Sequence, residues 1–339
     1  MPINGNMDFD QELMNAVESA VEERGREAVQ RARKQILKSK HKDGIVYEAL
    51  EHFARVTLAG GLPVFPALVS LSREAVDGKT EKTAAVGAAL TLIAGTADVH
   101  DDIIDQSTTK YSKKTVFGEF GSEVALLAGD ALLAQGLTLL QEECEDLAKD
   151  QRKAILSSVS RAIFDICEAE ALEIRLARKA KKTGEELFAV VKLKAVVPEI
   201  HCRIGGILGN ASEALLDSLG NYGTIFGVAS LVRDEFLDML DYSELQNRWK
   251  NECPPLPMLY ALENSDIQNR IEKLLDAREI KDKNYKEVSR IILESNEAKI
   301  LANNIKSTID VQLSPDPFEA NPQVKRETVL LLKAAISGF

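Results

Sequence analysis

From Ala84 onward the chain runs apolar and rich in Ala, without a proline, until it ends in three carboxylates, Asp101, Asp102 and Asp105. Leu90, Ile93, Ala94 and Ala97 recur at the three- and four-residue spacing of a helix. On such a helix Asp101 and Asp105 are four apart and Asp102 and Asp105 three apart, so the carboxylates share one face. Like charges crowded on one turn repel, and something positive is needed against them. Hard oxygen donors suit Mg²⁺, which keeps several waters and is completed by the phosphates of a substrate. A solvated helix end is the other reading open to a lone acidic cluster. An EF-hand loop fits badly, because the stretch from Asp98 has no glycine at the sharp turn and no closing glutamate.

A second cluster favours the metal. Asp234, Glu235 and Asp238, followed by Asp241, again put acids three, four and seven apart on one stripe of the otherwise apolar segment Ile225 to Leu240. Two such faces opposed across a cavity would hold Mg²⁺ and a diphosphate between them. No run alternates like a strand, and Gly and Pro fall mostly in turns, so the expected fold is an all-α bundle around a central cavity. No linker divides the 339 residues, and a single domain is expected over 1–339, with the polar start Met1 to Asp8 as a loose tail. Glu185 to Gly209 reads as one helix, and Tyr242 to Cys253 as a loop over the cavity mouth.

A net charge of −11 argues against a nucleic-acid partner. The four cysteines show no C-x-x-C spacing, so neither a zinc site nor a disulfide framework is expected, and a reducing cytoplasm is the natural home. No stretch reads as the ~20 uncharged apolar residues of a membrane helix, so the chain is expected not to span one. His52 reads as a surface or satisfied core residue, and His201-Cys202 as helix core.

The run His100-Asp101-Asp102-Ile103-Ile104-Asp105, then Lys110, Thr115 and Leu127-Ala128-Gly129-Asp130-Ala131-Leu132-Leu133, resembles the trans-isoprenyl diphosphate synthases. Asp234-Glu235-Phe236-Leu237-Asp238 looks like the second aspartate-rich motif of that family, and Lys192-Leu193-Lys194-Ala195 like its K-x-K-T segment. The resemblance implies an isoprenoid-synthase-type helical bundle and a Mg²⁺-dependent prenyltransferase that ionises an allylic prenyl diphosphate, with more than one ion per site. It implies metal ligands at Asp101, Asp105, Asp234, Glu235 and Asp238, with Asp102 and Lys194 in the catalytic set. Lys110 and Lys194 would hold the diphosphate, while the small Thr96 and Ala97 leave room for a long prenyl chain. Ala169-Glu170-Ala171-Leu172-Glu173 partly matches a G-Q-x-x-D segment beside the metals, although a solvated polar face is the reading its residues favour. A homodimer, or a heterodimer with a related synthase, is the assembly the resemblance implies.

The departures from the family pattern concern the second substrate, isopentenyl diphosphate. Where the family has G-G-K-R-x-R-P, this chain has Gly60-Gly61-Leu62-Pro63-Val64-Phe65-Pro66. Thr91 and Ala94 stand at an E-x-x-H, Tyr111 at an arginine, Ser230-Leu231 at F-Q, and Glu252-Cys253 at the start of G-K-x-T-L-P. Lys113 and Lys114 are the bases that would compensate, with a solvated basic loop as the even alternative. Three functions follow: chain elongation with isopentenyl diphosphate, transfer to another acceptor or cyclisation, and a non-catalytic subunit that sets chain length in a heteromeric synthase.

Overall fold

The computed structural model describes residues 11–38, 43–76, 82–110, 113–275, 282–312 and 316–337. The tail expected at Met1 to Asp8 and the position of Tyr111 lie outside them. Among the described residues the chain is helical almost throughout. The first half is α1 (Gln11–Leu37), α2 (Ile45–Gly60), α3 (Val64–Val76), α4 (Thr83–Ile104), α5 (Val116–Phe120), α6 (Ser122–Glu143) and α7 (Lys149–Ala177). The second is α8 (Gly184–Lys194), α9 (Val196–Leu208), α10 (Glu213–Asp238), α11 (Tyr242–Asn251), α12 (Leu256–Ala261), α13 (Ser265–Leu275), α14 (Asp282–Glu294), α15 (Asn296–Gln312) and α16 (Pro322–Ala335). One antiparallel hairpin, β1 (Thr109–Lys110) with β2 (Lys113–Lys114), joins α4 to α5 and was not signalled by any alternation.

Side-chain caps fix several helix starts. Thr115 accepts from Gly118 N–H at 3.0 Å, Ser212 accepts from Leu215 N–H at 3.4 Å, and Thr183 accepts from Glu186 N–H at 3.3 Å. Asp241 accepts from Ser243 N–H at 2.9 Å and Glu244 N–H at 3.1 Å. Asp241 is therefore an N-cap rather than a member of the acid stripe, and it starts a helix, α11, where a loop was expected. The single helix expected from Glu185 to Gly209 is interrupted at Ala195, which separates α8 from α9. Pro198 lacks the N–H that would bond back to Lys194 and so favours a break there.

Helix α4 lies in the middle of the bundle, packed by α1, α3 and α6. By length and composition α4 and α6 are each apolar enough to cross a membrane, contrary to the expectation from sequence. The apolar character of α4 is used inside the fold, where Val86, Ala88, Ala89 and Leu92 are fully buried. That of α6 is used only in part: Leu126, Leu127 and Leu137 form an exposed stripe.

Candidate active site

The first acid set sits on the last turn of α4, which small residues bring close to α6. A side chain at Gly129 would place its Cβ 2.3 Å from His100 Nε2, and one at Gly136 would lie 2.7 Å from Ile93 Cγ1. The glycine of the Leu-Ala-Gly-Asp segment thus lets α6 run against the turn that carries the aspartates. Thr96 belongs to the same contact. It is buried, and its hydroxyl donates to the Gly129 carbonyl at 3.1 Å. Ala97 is half-buried on the same helix.

A cavity of about 350 Å³ opens beside this turn. Asp105 of α4, Glu170 and Glu173 of α7, and Glu252 just after α11 contribute its carboxylates; Arg178, just after α7, is its cation. Ile104, Ile174 and Ala177 form its apolar wall. Lys194 closes the acid side from α8, with Nζ 2.8 Å from Glu170 Oε1 and 2.7 Å from Glu173 Oε2. On the other flank of α4, Lys110 donates to Asp98 at 2.7 Å and lies 3.9 Å from Asp102.

The carboxylates exceed the charge these two lysines neutralise. Burial, reinforced by Asp101 and Glu173, pushes the Asp105 carboxyl up to about 7. Burial likewise pushes Asp102 up to about 7 against the pull of Lys110, and Glu170 up to about 7 against that of Lys194. For Glu173 burial acts in the same sense but is outweighed by Lys194 and Arg248, which hold it below the usual carboxylate range. Lys194, despite burial, is held above the usual lysine range by Glu173, Glu170 and Asp101. Burial, with the mutual repulsion of the acids second to it, thus raises three of these carboxyls toward neutrality.

Asp101 shows what is missing. Its Oδ1 is buried and accepts no hydrogen bond. A bare carboxylate oxygen beside neighbours that raise one another is the donor set for a hard divalent ion. Asp101 and Asp105, with Glu170 and Glu173 behind them, are the residues that would hold it. Among the described residues no three acid, His or Cys groups already converge on a metal position, so loading would require these side chains to turn inward.

The second acid set differs from expectation. Asp234 stands 63% exposed near Arg233, while Glu235 and Asp238 turn onto Arg248 of α11. Arg248 Nη2 donates to both Glu235 oxygens, at 3.1 and 3.0 Å, and Nη1 donates to Asp238 Oδ2 at 2.6 Å. Nε donates to the Cys253 carbonyl at 2.8 Å and lies 3.4 Å from Glu252 Oε2. Glu235 Oε2 also accepts the Leu256 N–H at 2.6 Å. The two acid walls therefore do not face each other across open space: a guanidinium fills the second one, and neither Glu235 nor Asp238 lines the cavity. Asn247 of α11 reaches the Asp105 carbonyl at 3.5 Å, which keeps the two walls in one neighbourhood.

At the turn after α2, Leu62 and Phe65 are exposed where the resemblance expects cations. Bases arrive there from two other elements. Lys113 Nζ of β2 lies 3.9 Å from where a Cβ on Gly60 would stand; Arg26 Nη2 of α1 is 3.5 Å from the Gly61 carbonyl but its guanidinium is already paired with Glu22. Lys114 is occupied by Glu119 at 3.0 Å. His201 is buried, with Nδ1 2.7 Å from the Val197 carbonyl, as core histidines are; burial pulls it down to about 4. The cysteines are all free.

Sequence reasoning missed Asp98, Arg178 and Arg248, and it read Glu252 only as a departure from pattern. For Arg248 the available signal was its i,i+4 spacing to Glu252 behind a capping Asp241.

The chain matches the family described as Polyprenyl synthetase over residues 46–292. It is 26% identical over 265 residues to a short chain isoprenyl diphosphate synthase of Methanocaldococcus jannaschii, covering 76% of this chain and 79% of that one. It is also 26% identical over 220 residues to heptaprenyl diphosphate synthase component 2 of Bacillus subtilis, covering 63% and 61%. The crystal structure of a geranylgeranyl pyrophosphate synthetase from Pyrococcus horikoshii superposes with a TM-score of 0.81 at 22% identity, over 96% of this chain and 99% of that one. With the all-α fold, the paired aspartate-rich segments and this match over most of its length, the chain belongs to the polyprenyl synthetase family of prenyltransferases.

Proposed function

We propose that the chain is a Mg²⁺-dependent prenyltransferase that ionises an allylic prenyl diphosphate and condenses it with isopentenyl diphosphate. The observation that carries this reading is the unsatisfied acid cluster, with Asp101 Oδ1 bare and Asp105, Glu170 and Glu173 gathered at a cavity. Bound there, Mg²⁺ would supply the positive charge that lets diphosphate depart in a water-poor pocket. Asp101 and Asp105 orient that charge, and Lys194 and Arg178 receive the phosphate oxygens. Ile104, Ile174 and Ala177 keep water from the allylic carbon.

Lys113 beside Gly60 supports isopentenyl diphosphate as the acceptor, since it restores a cation where Leu62 and Phe65 supply none. The exposed Leu62 and Phe65 favour, as a second reading, transfer to a less polar acceptor. The test is to incubate purified protein with Mg²⁺ and farnesyl or geranylgeranyl diphosphate, with and without radiolabelled isopentenyl diphosphate. Elongated labelled product supports the first reading. Diphosphate release without elongation supports the second, and no release under either condition points to a non-catalytic subunit.

The apolar stripe Leu126, Leu127 and Leu137 on α6 supports a dimer with a second copy of this chain. Light scattering that gives a monomer mass at micromolar concentration would favour instead a related synthase as the partner.

A further inference from the structure

We infer that Arg248 is the built-in cation of the second acid set, so that Glu235 and Asp238 take up no divalent ion. The inference deepens the proposed function and rests on it for the identity of the first wall. Its grounds are geometric. A guanidinium carries five N–H donors in a rigid fork, and those of Arg248 point at both oxygens of Glu235, one of Asp238 and the Cys253 carbonyl. The Arg248 side chain is 7% exposed, so water cannot replace these partners if they leave. Glu235 is fixed further by the Leu256 N–H, which ties it to the start of α12.

To ligate an ion, Glu235 would have to give up three hydrogen bonds and leave a buried cation beside a second one. The first wall has the opposite character, since its lysines lie to the sides and Asp101 Oδ1 has no donor at all. Asp234, whose side chain is 63% exposed, stays open to an ion completed by waters and diphosphate oxygens, so only Glu235 and Asp238 are withheld. Arg248 acts on the cavity by position: through the Cys253 carbonyl and Glu252 it holds the segment after α11 against Asp105.

The experiment counts ions. Metal-free full-length protein is titrated with Mn²⁺ in the presence of inorganic diphosphate, by calorimetry and by the loss of free-Mn²⁺ electron paramagnetic resonance signal. Wild type, Asp238→Asn and Arg248→Gln are compared, with circular dichroism melts to confirm folding. The expected result is that Asp238→Asn binds as many ions as wild type, within about twofold in affinity, because Asp238 ligates none. Arg248→Gln gains one ion per chain, because the unmasked Glu235 and Asp238 become available. Loss of an ion in Asp238→Asn overturns the inference, and so does a folded Arg248→Gln with no added ion. If Arg248→Gln does not fold, the Asp238→Asn count decides. A wild-type chain that binds no Mn²⁺ refutes the metal role under the proposed function instead, while a gained ion in Arg248→Gln still identifies a masked site.

Discussion

The ends of α4 and α10 carry nearly the same string of acids on nearly the same kind of helix, and the fold treats them in opposite ways. At the end of α4, Asp101 keeps a bare oxygen, and Asp105 is pushed up to about 7 by burial and by its acidic neighbours. At the end of α10, Arg248 holds Glu235 and Asp238 with hydrogen bonds between 2.6 and 3.1 Å. An acidic stripe therefore does not define a metal site by itself. What separates the two is the bare Asp101 Oδ1, since Arg248 reaches Asp238 through Oδ2 alone and burial still pushes that carboxyl up to about 7.

The comparison is tested most strongly by emptying the first wall. Asp105→Ala should lower the rate of diphosphate release by about a thousandfold, the scale of losing preorganised charge at the departing group. Single-turnover assays with a farnesyl donor would measure it, and a fall of less than tenfold would mean the wall is not where ionisation occurs. The same wall should lose little stability. Asp101→Asn removes a repelling charge, so its urea midpoint should stay level with or rise above wild type.

The second wall should respond in the other currency, which is stability. Arg248→Met leaves Glu235 and Asp238 buried without their partner, and such a break costs about 3 kcal/mol. Urea unfolding followed by far-ultraviolet circular dichroism would show it. A loss below about 1 kcal/mol, the range of a surface ion pair, would mean that the Arg248 cluster opens easily and that the two walls are less different than they look.

How much of this contrast could be seen in the sequence depends on which residues carry it. The α4 acids and the apolar run before them are local in sequence, and period alone places them on one helical turn. Gly129 and Gly136 are legible as well, because a small residue in a helix implies a close neighbour. Arg248 is not, since nothing in the order of residues says that α11 folds back and aims a guanidinium at acids thirteen and ten positions earlier. The contact of Thr96 was hidden for a related reason: spacing puts it near the motif, but only packing shows that its hydroxyl is turned toward the Gly129 carbonyl. Lys113 was legible as a base in a loop, while its reach to Gly60 depends on the hairpin register that pairs it with Lys110. Lys113→Ala should raise KM for isopentenyl diphosphate by about tenfold to thirtyfold, consistent with the loss of one charge-assisted hydrogen bond of about 1.5 to 2 kcal/mol. KM for the allylic donor should rise much less, and equal rises in both would remove Lys113 from the acceptor site.

Both walls respond to pH: burial also pushes Asp234 up to about 6 and Asp238 up to about 7, the latter against the pull of Arg248. Asp102, Asp105 and Glu170 are each pushed up to about 7 in the folded chain, principally by burial, whereas in the unfolded chain carboxyls titrate near 4. A group whose folded value is raised adds stability that is fully present below its unfolded value and is lost as pH rises toward the folded one. The metal-free protein should therefore lose stability between about pH 4 and 8, at up to about 1.4 kcal/mol per pH unit for each proton released, and level off above about 8, where Glu252 of the same cavity, pushed up to about 8 by burial, has ionised. An ion on the first wall needs these same carboxylates ionised. Mn²⁺ affinity should accordingly rise by up to about tenfold per pH unit for each displaced proton until about pH 7 and then flatten, and the bound ion should remove the decline in stability. Thermal melts from pH 5 to 8, with and without Mn²⁺ and diphosphate, measure both trends on one sample. If the metal-free and metal-loaded melting temperatures stay a constant distance apart across that range, the protons and the ion do not compete for the same oxygens, and these raised carboxyls are not what the metal loads on.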